Sequence, residues 1–528
     1  MTLNTRTKQV LIVLVIVIGT WYFTKFVNAQ GNILSEVQKL TAVIKLIQTA
    51  YIEEVDLEVL TEGAIEGMLK KLDPHSVYIP PQRYEELMER DRGEFDGIGI
   101  SFQIQNELIT VIAPIVGTPA ERLGIRSGDR IIEIDGVSAY GITNEEVVKK
   151  LRGPRGTMVK ITVVREHVNE PLEFTIVRDR IPIYSVWSSF MLDDSTGYVL
   201  VNQFTATTTT ELQEALTKLE SEGMTRLILD LRNNQGGRLN EAISVADKFI
   251  PGGYPIVSRK GRGSIEDTTY YASGIATHPM FALTVLINSG SASASEIVAG
   301  AVQDLDRGLI VGDNSFGKGL VQYPYNLRDG GVIRLSIAHY YTPSGRLIQR
   351  SYDEGYGEYY SRRGDDEDDK DKKKHEEFKT LGGRIVYSGS GITPDYKVEE
   401  ERITGGTVRL VNQQILASKT EELSHKYRDK YQNDFRKFLT EFQVDDSVIE
   451  ELHALAKERD LDIPLEVLQK DKEFIKNRLK AEMAQLIWSD RNKYYQVQVS
   501  NDVVVMRAIE IFQEAREIAS KWMKGSKG

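Results

Sequence analysis

The chain has 528 residues, 41% hydrophobic and 27% charged, ordinary proportions for a globular protein long enough to hold several domains. A formal net charge of -11 argues against nucleic acid as a partner. With no cysteine there is no thiol nucleophile, disulfide or cysteine-held metal, and the seven histidines form no HExxH or paired arrangement that would hold zinc.

Residues 1–29 read as a signal peptide or membrane anchor. Arg6 and Lys8 precede the apolar stretch Val10 to Phe23, and Val27 and Ala29 present the small-residue pattern that suits signal peptidase. At about 14 residues this stretch is shorter than the roughly 20 that span a bilayer comfortably, while Trp21, Tyr22 and Lys25 are candidate interfacial anchors. Cleaved signal and retained anchor both stay open. Either places the chain outside the cytoplasm, in a bacterial periplasm or on the outer face of the inner membrane.

Residues 30–90 form a helical region, in which Ile33, Val37, Leu40, Ile44 and Ile47 recur at helical spacing. Pro74 and Pro80 mark a turn and an extended exit within LDPHSVYIP. From 91 to 178 the pattern changes to short strands broken by Gly and Asp. GEFDGIGISF places Gly97 and Gly99 before a strand, a backbone N–H nest for an anion. TPAERLGIRSGDRIIEIDG reads as a short helix, a Gly-Asp turn, a strand and a hairpin turn. In this order the segment resembles a PDZ domain of the bacterial protease-associated type. The resemblance implies a C-terminal peptide added as a strand, with its carboxylate at Ile98, Gly99 and Ile100.

Residues 179–402 form an α/β region, interrupted over 350–379 by a hydrophilic run read as a solvated loop without chemistry. Leu227 to Gly237 (LILDLRNNQGG) is a strand-to-loop junction, and Leu283 to Ile287 is a buried strand. NSGSASASE follows that strand and opens a helix. Its serines sit at a corner where backbone N–H groups can hold an oxyanion, yet Ser293 and Glu296 also spell an S-x-x-E capping box. Without a histidine partner, the base for a serine is Lys318, 25 positions after Ser293, which must be neutral to act although an unperturbed lysine titrates near about 10.4. Gln322 is placed to orient its amine, and Gly236, Gly237 and Ala294 to donate backbone N–H groups to the oxyanion.

DLRNNQGG, NSGSASASEIVAGA, GDNSFGKGLVQ, YYTPSGRLIQ and GITPD stand in family order behind the PDZ segment, and over about Leu72 to Asp395 the chain resembles the C-terminal processing peptidases, or tail-specific proteases. The resemblance implies a multidomain α+β fold: a PDZ domain, an α/β serine-protease core and helical N- and C-terminal regions. It selects Ser293 as nucleophile and Lys318 as base, supported by Gln322, cutting exported polypeptides with free C-termini and needing no cofactor or metal. It also marks Asp304, for which a helix-end surface acid is an equal reading. Gln235 departs from the proline usual before the two glycines. Arg152 is a candidate peptide-binding residue and coupler of the two domains, with a plain surface arginine the simpler reading.

Residues 403–528 are helical by pattern; Ile475, Leu479, Met483 and Leu486 make a stripe that suits a core or an oligomer contact. Helical ends make a homodimer reasonable, and an adaptor or lipoprotein partner is left open. Two rival functions remain. One is a non-catalytic PDZ scaffold; the other is a nucleotide binder, because Gly312 to Gly319 resembles a P-loop without its Ser or Thr.

Overall fold

The structure, a computed structural model, describes residues 33–525 except 106, 167, 264–266, 276–277, 354, 362–374 and 400–401. The leader and residues 354 and 362–374 of the charged insertion therefore lie outside the described residues. Among the described residues, no helix is long and apolar enough to cross a membrane.

The chain divides into two compact units. The smaller contains residues 1–80 and 324–335. Its strand Val77–Ile79 pairs antiparallel with Val332 to Arg334. The Asp73 carboxylate shapes the turn before that strand by accepting from the His75 and Ser76 N–H groups, both at 2.8 Å. On the helix over 33–50, the predicted stripe is largely exposed, with Ile33 at 66% and Val37 at 54%.

In the larger unit, the segment that resembles a PDZ domain forms a six-stranded sheet in the order Ile100–Gln105, Leu108–Pro114, Arg130–Ile134, Met158–Val164, Leu172–Val177, with Val137–Ser138 paired to Arg130–Ile134 off this path. Ile98, Ile109, Ile131, Val147 and Ile161 fill its core, with Phe102 and Ile104 packed against it. Ile100–Gln105 is an edge strand, so its outer side can receive another strand.

The catalytic region is a six-stranded sheet ordered Val186–Met191, Thr196–Val201, Arg226–Asp230, Ala282–Ile287, Leu309–Gly312, Tyr396–Lys397. Its first pair is antiparallel and every later pair is parallel. Parallel strands are covered on both faces, which explains why ALTVLI is buried throughout. Helices Thr208–Ser221, Leu239–Asp247 and Ala294–Asp304 contribute to the core cluster on one face. Val504, Val505, Ala508, Ile511 and Phe512 cover Ile228 and Leu286 on the other. The last helices thus complete the core of this α/β sheet.

A separate helical core holds Ile475, Leu479 and Met483, each fully buried. The predicted C-terminal stripe is an interior face.

Candidate active site

Three neighbouring parallel strands deliver the site, in accord with the rule that α/β sheets bind ligands beyond the carboxyl ends of their strands. Arg226–Asp230 leads to Gly236 and Gly237, Ala282–Ile287 to Ser293, and Leu309–Gly312 to Lys318. Residues distant in sequence meet because their strands are adjacent.

The serine cluster separates by hydrogen bonding. Ser291 is fully buried and donates its hydroxyl to Leu231 O at 2.8 Å; Ser295, equally buried, donates to Asn234 O at 2.8 Å. Both hydroxyls therefore serve the architecture. Ser293 is partly exposed and sits at φ 56, ψ -107, a conformation uncommon for a residue with a Cβ. Its N–H donates to Glu296 Oε2 at 2.7 Å, the carboxylate half of the predicted capping box. Cap and strained corner coexist at one residue.

Glu296 does far more than cap. It is fully buried and also accepts from the Ser315 hydroxyl (2.5 Å), the Gly317 N–H (2.7 Å) and the Lys318 N–H (2.9 Å). Burial raises its carboxyl above the ordinary range, while these donors oppose the rise. One carboxylate thereby ties the turn of Ser293 to the loop of Lys318. Lys318 Nζ donates to Gln322 Oε1 at 2.9 Å, so the structure brings these two predicted partners together.

The two glycines divide their duties. The Gly236 N–H donates to Asn234 Oδ1 at 2.9 Å, so it is turned away from the donor role expected for it. What the site needs at Gly236 is an absent side chain: at φ 94, a Cβ would lie 2.7 Å from Ala292 O and 2.9 Å from Ala294 N. Neither the Gly237 nor the Ala294 N–H has an acceptor among the described residues. Asn234, fully buried, also accepts the Ala292 N–H on its own carbonyl at 3.0 Å. This residue holds the glycine turn where Gln235, exposed, lacks the stiffness of proline.

Asp304 is not a surface acid. Its side chain is fully buried with that of Arg346, to which it pairs at 2.8 Å, and it accepts the Ser344 N–H at 3.1 Å. Arg346 belongs to YYTPSGRLIQ, so this motif clamps the far end of the serine's helix. Asp395 of GITPD accepts from the Ile310 N–H at 2.8 Å and fixes the neighbouring strand. Arg232 reaches both Asp230 and Asp502, each at 2.7 Å, joining the glycine loop's strand to the C-terminal helices.

In the PDZ domain, no described residue accepts from the Ile98 or Gly99 N–H, while their carbonyls take the Ala120 and Ile115 N–H groups, both at 2.9 Å. Gly99 has φ 87, and a Cβ there would fall 2.3 Å from the Thr118 side chain. Ile100 begins the edge strand. Arg152 is not a plain surface arginine: it donates to Glu89 at 2.6 Å and lies 4.1 Å from the centre of the Phe95 ring. It links the PDZ domain to the helix Pro81–Arg92 rather than lining the nest.

The insertion also differs from expectation at its start. Arg350 and Tyr359 are buried, at 4% and 2% exposure, and Tyr356–Ser361 is a helix. Glu296, Asn234 and Tyr359 were not singled out as site residues by sequence reasoning. Only Glu296 left a signal, an acid three positions after the serine.

Residues 195–357 match the profile of peptidase family S41, 110–165 a PDZ domain, and 23–82 the N-terminal domain of the activating protease CtpB. Residues 407–489 match a family of unknown function. The carboxy-terminal-processing protease of Bartonella bacilliformis is 40% identical over 326 residues, covering 61% of this chain and 74% of the relative. The carboxy-terminal processing protease CtpA of Bacillus subtilis is 33% identical over 354 residues, covering 65% and 75%. The photosystem II D1 C-terminal processing protease, a solved structure, is 27% identical with a TM-score of 0.35, covering 68% of this chain and 87% of that one.

Proposed function

The chain belongs to peptidase family S41 as a carboxy-terminal-processing serine protease, and from that premise we propose that Ser293 and Lys318 are its nucleophile and general base. The observation that carries this reading is the Glu296 carboxylate, which holds the backbones of both residues while Lys318 Nζ rests on Gln322 Oε1.

Ser293 Oγ attacks the scissile carbonyl as Lys318, entering as a neutral amine, takes the hydroxyl proton. The negative oxygen of the tetrahedral intermediate is stabilised by the Gly237 and Ala294 N–H groups, with the helix N-terminus adding its field. Lys318 then protonates the departing amine, leaving an ester on Ser293. Water attacks the ester with Lys318 again as base, which frees the acid product and the serine. Gln322 orients the amine throughout.

The substrate is an exported polypeptide whose free C-terminus adds to the edge strand Ile100–Gln105, its carboxylate held by the Ile98 and Gly99 N–H groups. The basic and apolar leader over 1–29 supports export to the periplasm or the membrane's outer face. The exposed apolar stripe over 33–50 supports a homodimer.

The test offers purified protein a peptide with a free C-terminus and its amidated form, alongside Ser293→Ala and Lys318→Ala. Expected are loss of cleavage to background for Ser293→Ala, a fall of about 10²- to 10⁴-fold for Lys318→Ala, and weaker capture of the amide. Cleavage that survives either substitution sinks the dyad. Equal cleavage of both peptides sinks tail recognition.

A further inference from the structure

The loop 316–319 carries Lys318 across the backbone of residues 349 and 350. Arg350 N donates to Gly317 O at 2.9 Å, and the Gly319 N–H donates to Gln349 Oε1 at 2.8 Å. The fit is close at two glycines: a Cβ on Gly317 would lie 2.9 Å from Arg350 Cβ, and one on Gly319 would lie 2.8 Å from Gln349 N. Beside the Glu296 carboxylate, the loop's position is therefore set by whatever fixes Gln349 and its neighbours.

Tyr359 does this from the helix Tyr356–Ser361. Its hydroxyl accepts from Gln349 Nε2 at 3.3 Å, on the same amide whose oxygen holds Gly319. Its ring meets Phe316 edge to face, with centroids 5.4 Å apart and planes at 90°. The first contact acts through Gln349 one position after Lys318, and the second touches the chain two positions before it. A single buried side chain brackets the base.

The geometry points to Tyr359 as a positioning residue for Lys318, so that the start of the insertion forms part of the catalytic apparatus. This rests on Lys318 being the base. Its physical content is preorganisation: ring and hydroxyl together hold the lysine loop in one place, and a displacement of about 1 Å costs about 100-fold in rate.

The experiment compares Tyr359→Ala and Tyr359→Phe with wild type and Lys318→Ala in the full chain. It measures kcat and KM for a tail-bearing peptide from pH 6 to 10, and hydrogen exchange of the peptide containing 316–319. Expected for Tyr359→Ala are a kcat fall of about 10- to 100-fold at nearly constant KM and faster exchange at 316–319. Tyr359→Phe keeps the ring contact and recovers most of the rate. Unchanged exchange at 316–319 in Tyr359→Ala overturns the positioning role whatever the base is, as does a loss that falls on KM with kcat kept. Full activity of Lys318→Ala with altered exchange in Tyr359→Ala rejects the base instead and leaves the bracket standing.

Discussion

The backbone N–H groups of Ser293 and Lys318 converge on a single oxygen, Oε2 of Glu296, at 2.7 and 2.9 Å. Two segments 25 positions apart are referenced to one atom. A helix-capping residue has become the ruler of the site.

Glu296→Gln replaces one carboxylate oxygen with a donor facing other donors. Its expected cost is about 2 to 4 kcal/mol of stability, together with a large fall in kcat, checked by urea melts and steady-state rates. The pH dependence has a definite sign. Burial raises the folded-state value of Glu296, so its contribution to stability is fully present below the ordinary value of 4.5 and is lost as pH rises through the raised one. Because Gln does not titrate, the stability advantage of wild type over the variant narrows from acid toward neutral pH.

Gly236→Ala tests the space beside the serine. The added methyl would press on Ala292 O and Ala294 N from a backbone with φ 94. Expected is a kcat loss of about 10²- to 10³-fold as the Ala294 donor is displaced, with KM nearly unchanged. Near-normal kcat would remove this donor from the mechanism.

Asp304→Ala leaves the Arg346 guanidinium buried without its carboxylate. Breaking such a pair costs about 3 to 5 kcal/mol, read as a lower melting temperature. A variant melting like wild type would restore the surface-acid reading that burial contradicts.

Gly99→Ala aims at tail capture alone. Its methyl meets the Thr118 side chain at 2.3 Å, so the loop before the edge strand must move. Affinity for a peptide with a free C-terminus should drop by at least about tenfold, measured by fluorescence anisotropy, while a short substrate that bypasses the PDZ domain is still cut.

The contact between Lys318 and Gln322 was legible because both lie in one run of distinctive local chemistry, and the PDZ segment because its turns carry fixed residue types. Glu296 was legible only as a cap. Its other donors, Ser315, Gly317 and Lys318, arrive from 19 to 22 positions away and are aligned by strand order alone. The Gly236 assignment missed for a subtler reason: which way an N–H points depends on loop rotation, and Asn234 two residues earlier captures it. Asp304 and Tyr359 each needed a partner that no local pattern announces, Arg346 for one and the pair Gln349 and Phe316 for the other. Charge density made the whole insertion look solvated, although Arg350 and Tyr359 at its start are buried.

The contact between Arg232 and Asp502 spans 270 positions of chain. Arg232 stands at the root of the Gly236 turn, and Asp502 caps the helix Val503–Glu510 that covers the far side of the sheet. During synthesis, the glycine turn, the serine and the lysine all emerge before the group that steadies the first of them. A chain halted between Lys318 and Asp502 carries the glycine turn, the serine and the lysine yet lacks this anchor and the apolar cover beyond it. The order of manufacture thus keeps an unfinished protease from having the finished one's scaffold.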